Sequence, residues 1–275
     1  MKPDLYILAV GIAKYVDAKY NLKYSAKDMN DFVNMMLVSG NYNKVLVKKI
    51  QDSAATKENI ISQGKIFADA KVDDHVIIYF SCHGLLDDKL DYYLATTDVT
   101  FESPAAKGMP YDEIEKMLDN CKSRNRLVLI DACHSGEVDK GDLEITNEKN
   151  NNQVVMTKSG GVNVKPKAGL KNSFAYMQAL FSDVSKGSGA VIISAAGGAE
   201  FALESNEWNN GVFTYCIMKG MKNGEADRDK DKSISISELK NYVISNVSEL
   251  THGAQVPTVR KENNFNDFEV YKKVP

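Results

Sequence analysis

The sequence predicts an α/β protein built on a mostly parallel six-stranded sheet with helices on both faces. Three observations predict it. Two short runs, Val76–Phe80 and Leu127–Ile130, are wholly apolar and bounded by polar residues, the pattern of strands buried on both faces. Apolar runs alternate along the chain with stretches of helical spacing, which gives parallel strands joined by crossover helices. The chain has 275 residues, 43% hydrophobic and 26% charged. That suits one large domain over 1–275.

The elements follow in order. Leu5–Ala13 is apolar and reads as the first strand. Ser25–Val38 carries Ala26, Met29, Phe32, Val33, Met36 and Leu37 at helical spacing, and Ser25 with Asp28 has the form of a capping box. Lys44–Ile50 is an alternating strand, and Thr56–Ala70 a helix with Thr56 as N-cap. The run from Val76 is the third strand, reaching His83. Tyr92–Ala95 reads as a short hairpin element. Pro110 opens a helix to Leu118, with Asp112 and Glu113 at its positive end. The strand from Leu127 reaches Cys133. Residues 137–172 form a polar loop rich in Asn and Lys, with one short strand at Val154–Met156. Ser173–Leu180, Gly211–Met221 and Ser237–Leu250 read as helices, and Gly189–Ala196 and Asp267–Tyr271 as strands.

A net charge of −3 gives no reason to expect nucleic acid as a partner. No run approaches the ~18 apolar residues that span a membrane. The short N-terminal apolar run lacks the form of a signal peptide, and the four cysteines show no disulfide-framework spacing. The expectation is a cytoplasmic, reduced protein.

The chemistry gathers at two strand ends. Ser81-Cys82-His83-Gly84 closes the third strand, and Asp131-Ala132-Cys133-His134-Ser135-Gly136 closes the strand from Leu127. Carboxyl ends of strands in open α/β sheets are where ligands bind. A thiol with a pKa near ~8.5 is mostly protonated at neutral pH and needs a base to become a nucleophile. An imidazole supplies that base and later protonates a leaving amine. Gly84 lets a substrate carbonyl approach, so its N–H and that of Cys133 are candidate oxyanion donors. The two Cys-His pairs do not read as a zinc site, because adjacent strand residues face opposite ways.

These two motifs, with His83 fifty residues before Cys133, resemble those of the caspase-like cysteine peptidases, most closely their bacterial, metacaspase-like branch. The resemblance extends through Ile193–Ala196, the Glu200–Trp208 stretch and Asn210–Tyr215. It implies the caspase-like fold, with 1–136 as a large-subunit-like part, 137–172 as a cleavable loop and 173–275 as a small-subunit-like part. It implies an endopeptidase with His83 and Cys133 as its catalytic dyad and no cofactor needed for the chemistry. Its substrates would be proteins or peptides cut after Arg or Lys, with Asp28 and Asp131 holding the basic side chain and Ser194 lining the pocket. Two carboxylates suit a guanidinium. Autoprocessing would fall at Lys140, Lys149, Lys158, Lys165, Lys167 or Lys171. The alternative is a catalytically idle module of the same fold that binds basic peptides or a partner protein.

A separate candidate is a metal loop. Asp227, Asp229, Asp231, Ser233, Ser235 and Glu238 occupy positions 1, 3, 5, 7, 9 and 12 of a calcium-binding EF-hand loop. Lys232 stands where that loop takes glycine. Without an ion the same residues would form a self-bonded turn, with Ser235 or Ser237 capping the helix that follows.

Overall fold

The structure is a computed structural model, and it describes residues 2–89, 91–132, 189–195, 203–259 and 267–273, with the backbone alone at 156–157. Six strands make the main sheet: β1 (Leu5–Gly11), β2 (Val45–Gln51), β3 (His75–Ser81), β7 (Asn125–Asp131), β9 (Val191–Ser194) and β13 (Thr258–Val259). Their order is β13-β9-β7-β3-β1-β2. Neighbours run parallel except at the β13 edge, which is antiparallel to β9. Every residue of β1 and β3 is buried, because helices cover both faces.

Period-two alternation divides each strand between two cores. Leu8, Val10, Ile78, Phe80, Val128 and Ile130 point to one face. Leu5, Ile7, Ala9, Ile77, Tyr79, Leu127 and Leu129 point to the other. The first face packs on α2 (Lys57–Gly64) and α3 (Tyr111–Asp119), through Ile60, Ile114 and Leu118. The second packs on α1 (Ser25–Leu37), α4 (Val212–Asn223) and α5 (Ile236–Leu250), through Met29, Phe32, Phe213, Ile217 and Leu239.

Small sheets decorate this frame. β4 (Gly84–Leu86), β5 (Tyr92–Leu94) and β6 (Met109–Pro110) form one beyond β3. β8 (Met156–Thr157), β10 (Leu203–Ser205) and β11 (Asn210–Gly211) form a second. β12 (Ser233–Ser235) pairs with β14 (Glu269–Lys272) in a third.

Four details differ from the sequence reading. The sixth strand of the main sheet is Thr258–Val259, a two-residue strand directly after Pro257, too short to carry a pattern. The expected final strand exists but pairs with Ser233–Ser235 instead. The helix expected over 56–70 starts as foreseen on Thr56, whose hydroxyl accepts from Asn59 N–H at 3.3 Å. It then tightens into a 3₁₀ turn at Lys65–Asp69, where Gly64 lies against Met117 of α3. The Ser25–Asp28 capping box does not form. Ser25 Oγ has no hydrogen-bond partner among the described residues, and the Asp28 carboxylate is drawn away to Asn210 and Gly211. The helix expected at Ser173–Leu180 lies outside the described residues.

Candidate active site

Register sets the site. Gly11, Ser81 and Asp131 face one another across β1, β3 and β7, so these strands end level at one edge of the sheet. Ser194 closes β9 beside Ile130 and is 1% exposed. α1 crosses this edge closely, and Gly11 makes that approach possible. A Cβ there would stand 2.6 Å from Met29 Cβ and 2.7 Å from the Ser25 carbonyl oxygen. The first turn of α1 therefore rests on the end of β1 and carries Asp28 to Ser81.

Both predicted carboxylates are fully buried, at 0% exposure. Asp28 accepts from Gly211 N–H at 3.1 Å and 3.2 Å, from Asn210 Nδ2 at 2.9 Å and from Ser81 Oγ at 3.3 Å. Asp131 accepts from Thr214 Oγ1 at 2.6 Å. Tyr79 OH lies 2.6 Å from the same Thr214 oxygen. Thr214 has one hydroxyl proton and gives it to the carboxylate, so Tyr79 donates to Thr214. Burial first, and then the charges of Asp28 and Asp131, push the Tyr79 phenol well above its ordinary range. It stays protonated and acts as a fixed donor. One phenol thus feels both carboxylates, which flank Ser81.

His83 does not end its strand. β3 stops at Ser81, and His83 sits in the turn that leads into β4, 2% exposed. Its backbone N–H donates to Tyr15 OH at 3.1 Å, and its carbonyl accepts from Ala95 N–H at 2.9 Å. Nε2 lies 2.7 Å from the Tyr20 carbonyl oxygen. A carbonyl only accepts, so Nε2 carries a proton, and in the neutral tautomer this selects, the lone pair lies on Nδ1. The rings of Tyr15, Phe101 and Tyr20 stand around it, with centroids at 5.1, 5.3 and 6.4 Å. Tyr20 and Phe101 stack on each other. The imidazole is thus held in one tautomer and one orientation, as a general base requires. Gly84 follows as the first residue of β4, paired with Leu94.

Cys133 and the six lysines from Lys140 to Lys171 lie outside the described residues. β7, the strand that leads to Cys133, ends at Asp131, and Ala132 after it is buried. The sequence reading missed the supporting groups: Tyr15, the Tyr20 carbonyl, Thr214 and Asn210. The Asn210–Tyr215 stretch carried a signal through its resemblance, but no role. A backbone carbonyl carries no residue-type signal at all.

The Asp227–Glu238 loop follows the C-terminal end of α4, whose first turn carries Thr214. One carboxylate oxygen from each of Asp227, Asp229 and Asp231 lies within 4.8 Å of the others. Lys232 takes the left-handed conformation, φ 72°, in the place of glycine. Its N–H donates to Asp227 Oδ2 at 3.0 Å. Ser235 and Glu238 form the capping box of α5. Burial works against ionisation of Glu238, but N–H groups of Ser235, Arg228 and Asp229 outweigh it and hold the carboxyl below its usual range. The loop thus gathers three of the six candidate ligands and spends two others on the helix cap.

Residues 5–269 match the profile of the caspase domain, a peptidase family. The chain belongs to the caspase-domain family of cysteine peptidases, whose substrates are proteins and peptides. A crystal structure of a Geobacter sulfurreducens protein shares the fold, with a TM-score of 0.62 and 18% identity over 94% of this chain and 92% of that one. No curated protein matches the sequence. No helix among the described residues is long and apolar enough to cross a membrane.

Proposed function

We propose that the protein is a cysteine endopeptidase that cuts after Arg or Lys. The supporting observation is the state of His83: a buried imidazole, its Nε2 proton given to the Tyr20 carbonyl, at the sheet edge where the strand leading to Cys133 ends. His83 Nδ1 takes the proton of the Cys133 thiol. The thiolate adds to the scissile carbonyl, and the N–H groups of Gly84 and Cys133 hold the oxyanion. The imidazolium returns the proton to the departing amine. Water, deprotonated by the same ring, then releases the thioester as a carboxylic acid. Asp131 and Asp28 supply negative charge for the basic side chain before the scissile bond, with Ser194 beside them. Autoprocessing within 137–172 belongs to the same reading. Calcium, if taken up at Asp227, Asp229 and Asp231, would act from a surface loop and enter no step of the chemistry.

The test is hydrolysis of fluorogenic peptides ending in Arg, Lys, Asp or Leu by the full chain and by Cys133→Ala. Cleavage after Arg or Lys that the variant abolishes is the expected result. Cleavage after Asp or Leu would keep the dyad and remove Asp28 and Asp131 from the pocket. No cleavage in any condition would leave a binding module.

A further inference from the structure

The support of His83 reaches across most of the chain. The Tyr20 carbonyl belongs to the segment that joins β1 to α1. Its upstream part is tied by Asp52, whose Oδ1 accepts from the N–H groups of Ala13 and Lys14 at 2.8 and 2.9 Å. Internal bonds shape its middle: Tyr15 N–H to Asn21 Oδ1 at 2.8 Å and Leu22 N–H to the Ala13 carbonyl at 2.9 Å. Its downstream end is tied by a residue some 180 positions away. Glu204, in β10, is 2% exposed. Its Oε1 accepts from Lys23 N–H at 2.9 Å and its Oε2 from Tyr24 N–H at 3.2 Å. Asn206, just beyond β10, adds a bond from Tyr24 OH at 2.6 Å and one from Lys23 Nζ.

α1 has no cap of its own. Tyr24, at the N-cap position, makes no side-chain cap bond, and Ser25 Oγ has no partner among the described residues. Glu204, from the other end of the sequence, instead holds the two residues that lead into the helix. A carboxylate is the strongest acceptor available for two backbone N–H groups, and it also suits the positive end of a helix. Its removal would leave the buried Tyr24 N–H and the part-buried Lys23 N–H without their acceptor, a loss the segment can relieve by shifting toward other acceptors. Tyr20 lies three residues upstream, and a hydrogen bond of 2.7 Å tolerates only a few tenths of an ångström of drift.

We propose that Glu204 is a positioning residue for His83: by holding Lys23 and Tyr24 it places the Tyr20 carbonyl, and so fixes the tautomer and orientation of the imidazole. The proposal rests on the reading of His83 as the general base. The same hairpin continues to Asn210 and Gly211, which hold Asp28. One element thus sets both the base and the acidic pocket.

The experiment uses the full chain with ¹⁵N-labelled histidine, as wild type, Glu204→Gln and Glu204→Ala. Ring ¹H–¹⁵N spectra report each tautomer, and His83→Ala assigns the signal. Wild type should show a His83 Nε2–H protected from exchange with water. In Glu204→Ala this proton should exchange roughly tenfold faster or more, the factor for one lost hydrogen bond. Glu204→Gln, which keeps one acceptor oxygen, should fall between. The His75 ring, buried at the opposite end of β3, should stay unchanged and so reports an intact fold. Peptidase kcat should fall in the same order as the His83 signal. An unchanged His83 signal in Glu204→Ala with His75 intact would overturn the proposal, whatever the activity. Loss of both histidine signals in both variants would overturn it too, in favour of a purely structural role. If no form cleaves any peptide, the peptidase reading fails while the spectra still decide the placement of the ring.

Discussion

His75 makes the stability of this protein depend on pH in a calculable way. The ring begins β3 at the end of the sheet away from the site, 7% exposed. Tyr42 OH donates to the Val270 carbonyl at 2.7 Å, so its oxygen is left to accept from His75 Nδ1–H at 3.3 Å. The Phe268 ring stands T-shaped against the imidazole, with centroids at 4.7 Å. This cluster docks β14 onto the body of the protein. Burial lowers the His75 pKa from 6.5 to about 4, against a smaller raising effect of Asp74. Between those values the unfolded chain binds a proton that the folded chain does not. Stability therefore rises with pH across this window and falls as pH drops through 6.5 toward 4. At 1.36 kcal/mol per pH unit the full loss is about 3 kcal/mol. The assay is urea unfolding of wild type and His75→Phe at several values from pH 7.5 to 4. The phenyl ring keeps the contact with Phe268 and cannot titrate. All other ionising groups cancel in the difference, so wild type should lose about 3 kcal/mol of stability relative to the variant between the neutral and the acid end. Parallel pH profiles would refute the reasoning and show that His75 is protonated where it lies.

Three further outcomes follow from the site and the loop. Thr214→Val deletes the donor to Asp131 and strands Tyr79 OH, so it should cost about 1–3 kcal/mol in thermal unfolding and lower kcat/KM for Arg peptides more than kcat. Gly11→Ala puts a methyl group against Met29 Cβ and the Ser25 carbonyl. It should destabilise by about 1–3 kcal/mol and raise KM for basic substrates by displacing the turn that holds Asp28, both readable from melts and kinetics. Calcium titrated calorimetrically should give a binding heat that Asp229→Asn abolishes; no heat would leave the loop as a self-bonded turn that feeds α5.

The parts that periodicity controls were legible. Val76–Phe80 and Leu127–Ile130 alternate between the two cores because a strand turns successive side chains to opposite faces, and their ends marked where Ser81 and Asp131 would lie. Local polar patterns were less dependable. Ser25 and Asp28 have the spacing of a capping box, but Gly211 N–H and Asn210 Nδ2 compete for the carboxylate and win, which leaves the buried Ser25 Oγ without a partner among the described residues. At Ser235 and Glu238 the same kind of pattern forms the cap, because Glu238 receives the Arg228 and Asp229 N–H groups on one carboxylate oxygen and keeps the other for Ser235. The Tyr20 carbonyl was illegible in principle, and Glu204 was illegible in practice, because its partners are backbone groups far away in sequence.

That long-range bonding makes a prediction about self-cleavage. The contacts that build the site run between the part before residue 133 and the part after residue 188: Lys23 and Tyr24 to Glu204, Asp28 to Asn210 and Gly211, Asp131 to Thr214. β7 and β9 also pair across this division, within one sheet and two shared cores. None of these contacts involves a residue of 137–172, although Met156–Thr157 of that stretch pair with β10, which carries Glu204. A single cut in that stretch should leave every one of them in place. A recognition site for a specific protease, placed within 137–172 of the Cys133→Ala chain, makes the test independent of the protein's own activity. After cutting, the two fragments should elute together from a sizing column in native buffer and apart in denaturant. Separation in native buffer would mean that the backbone link, not these bonds and the shared cores, holds the halves of the site together.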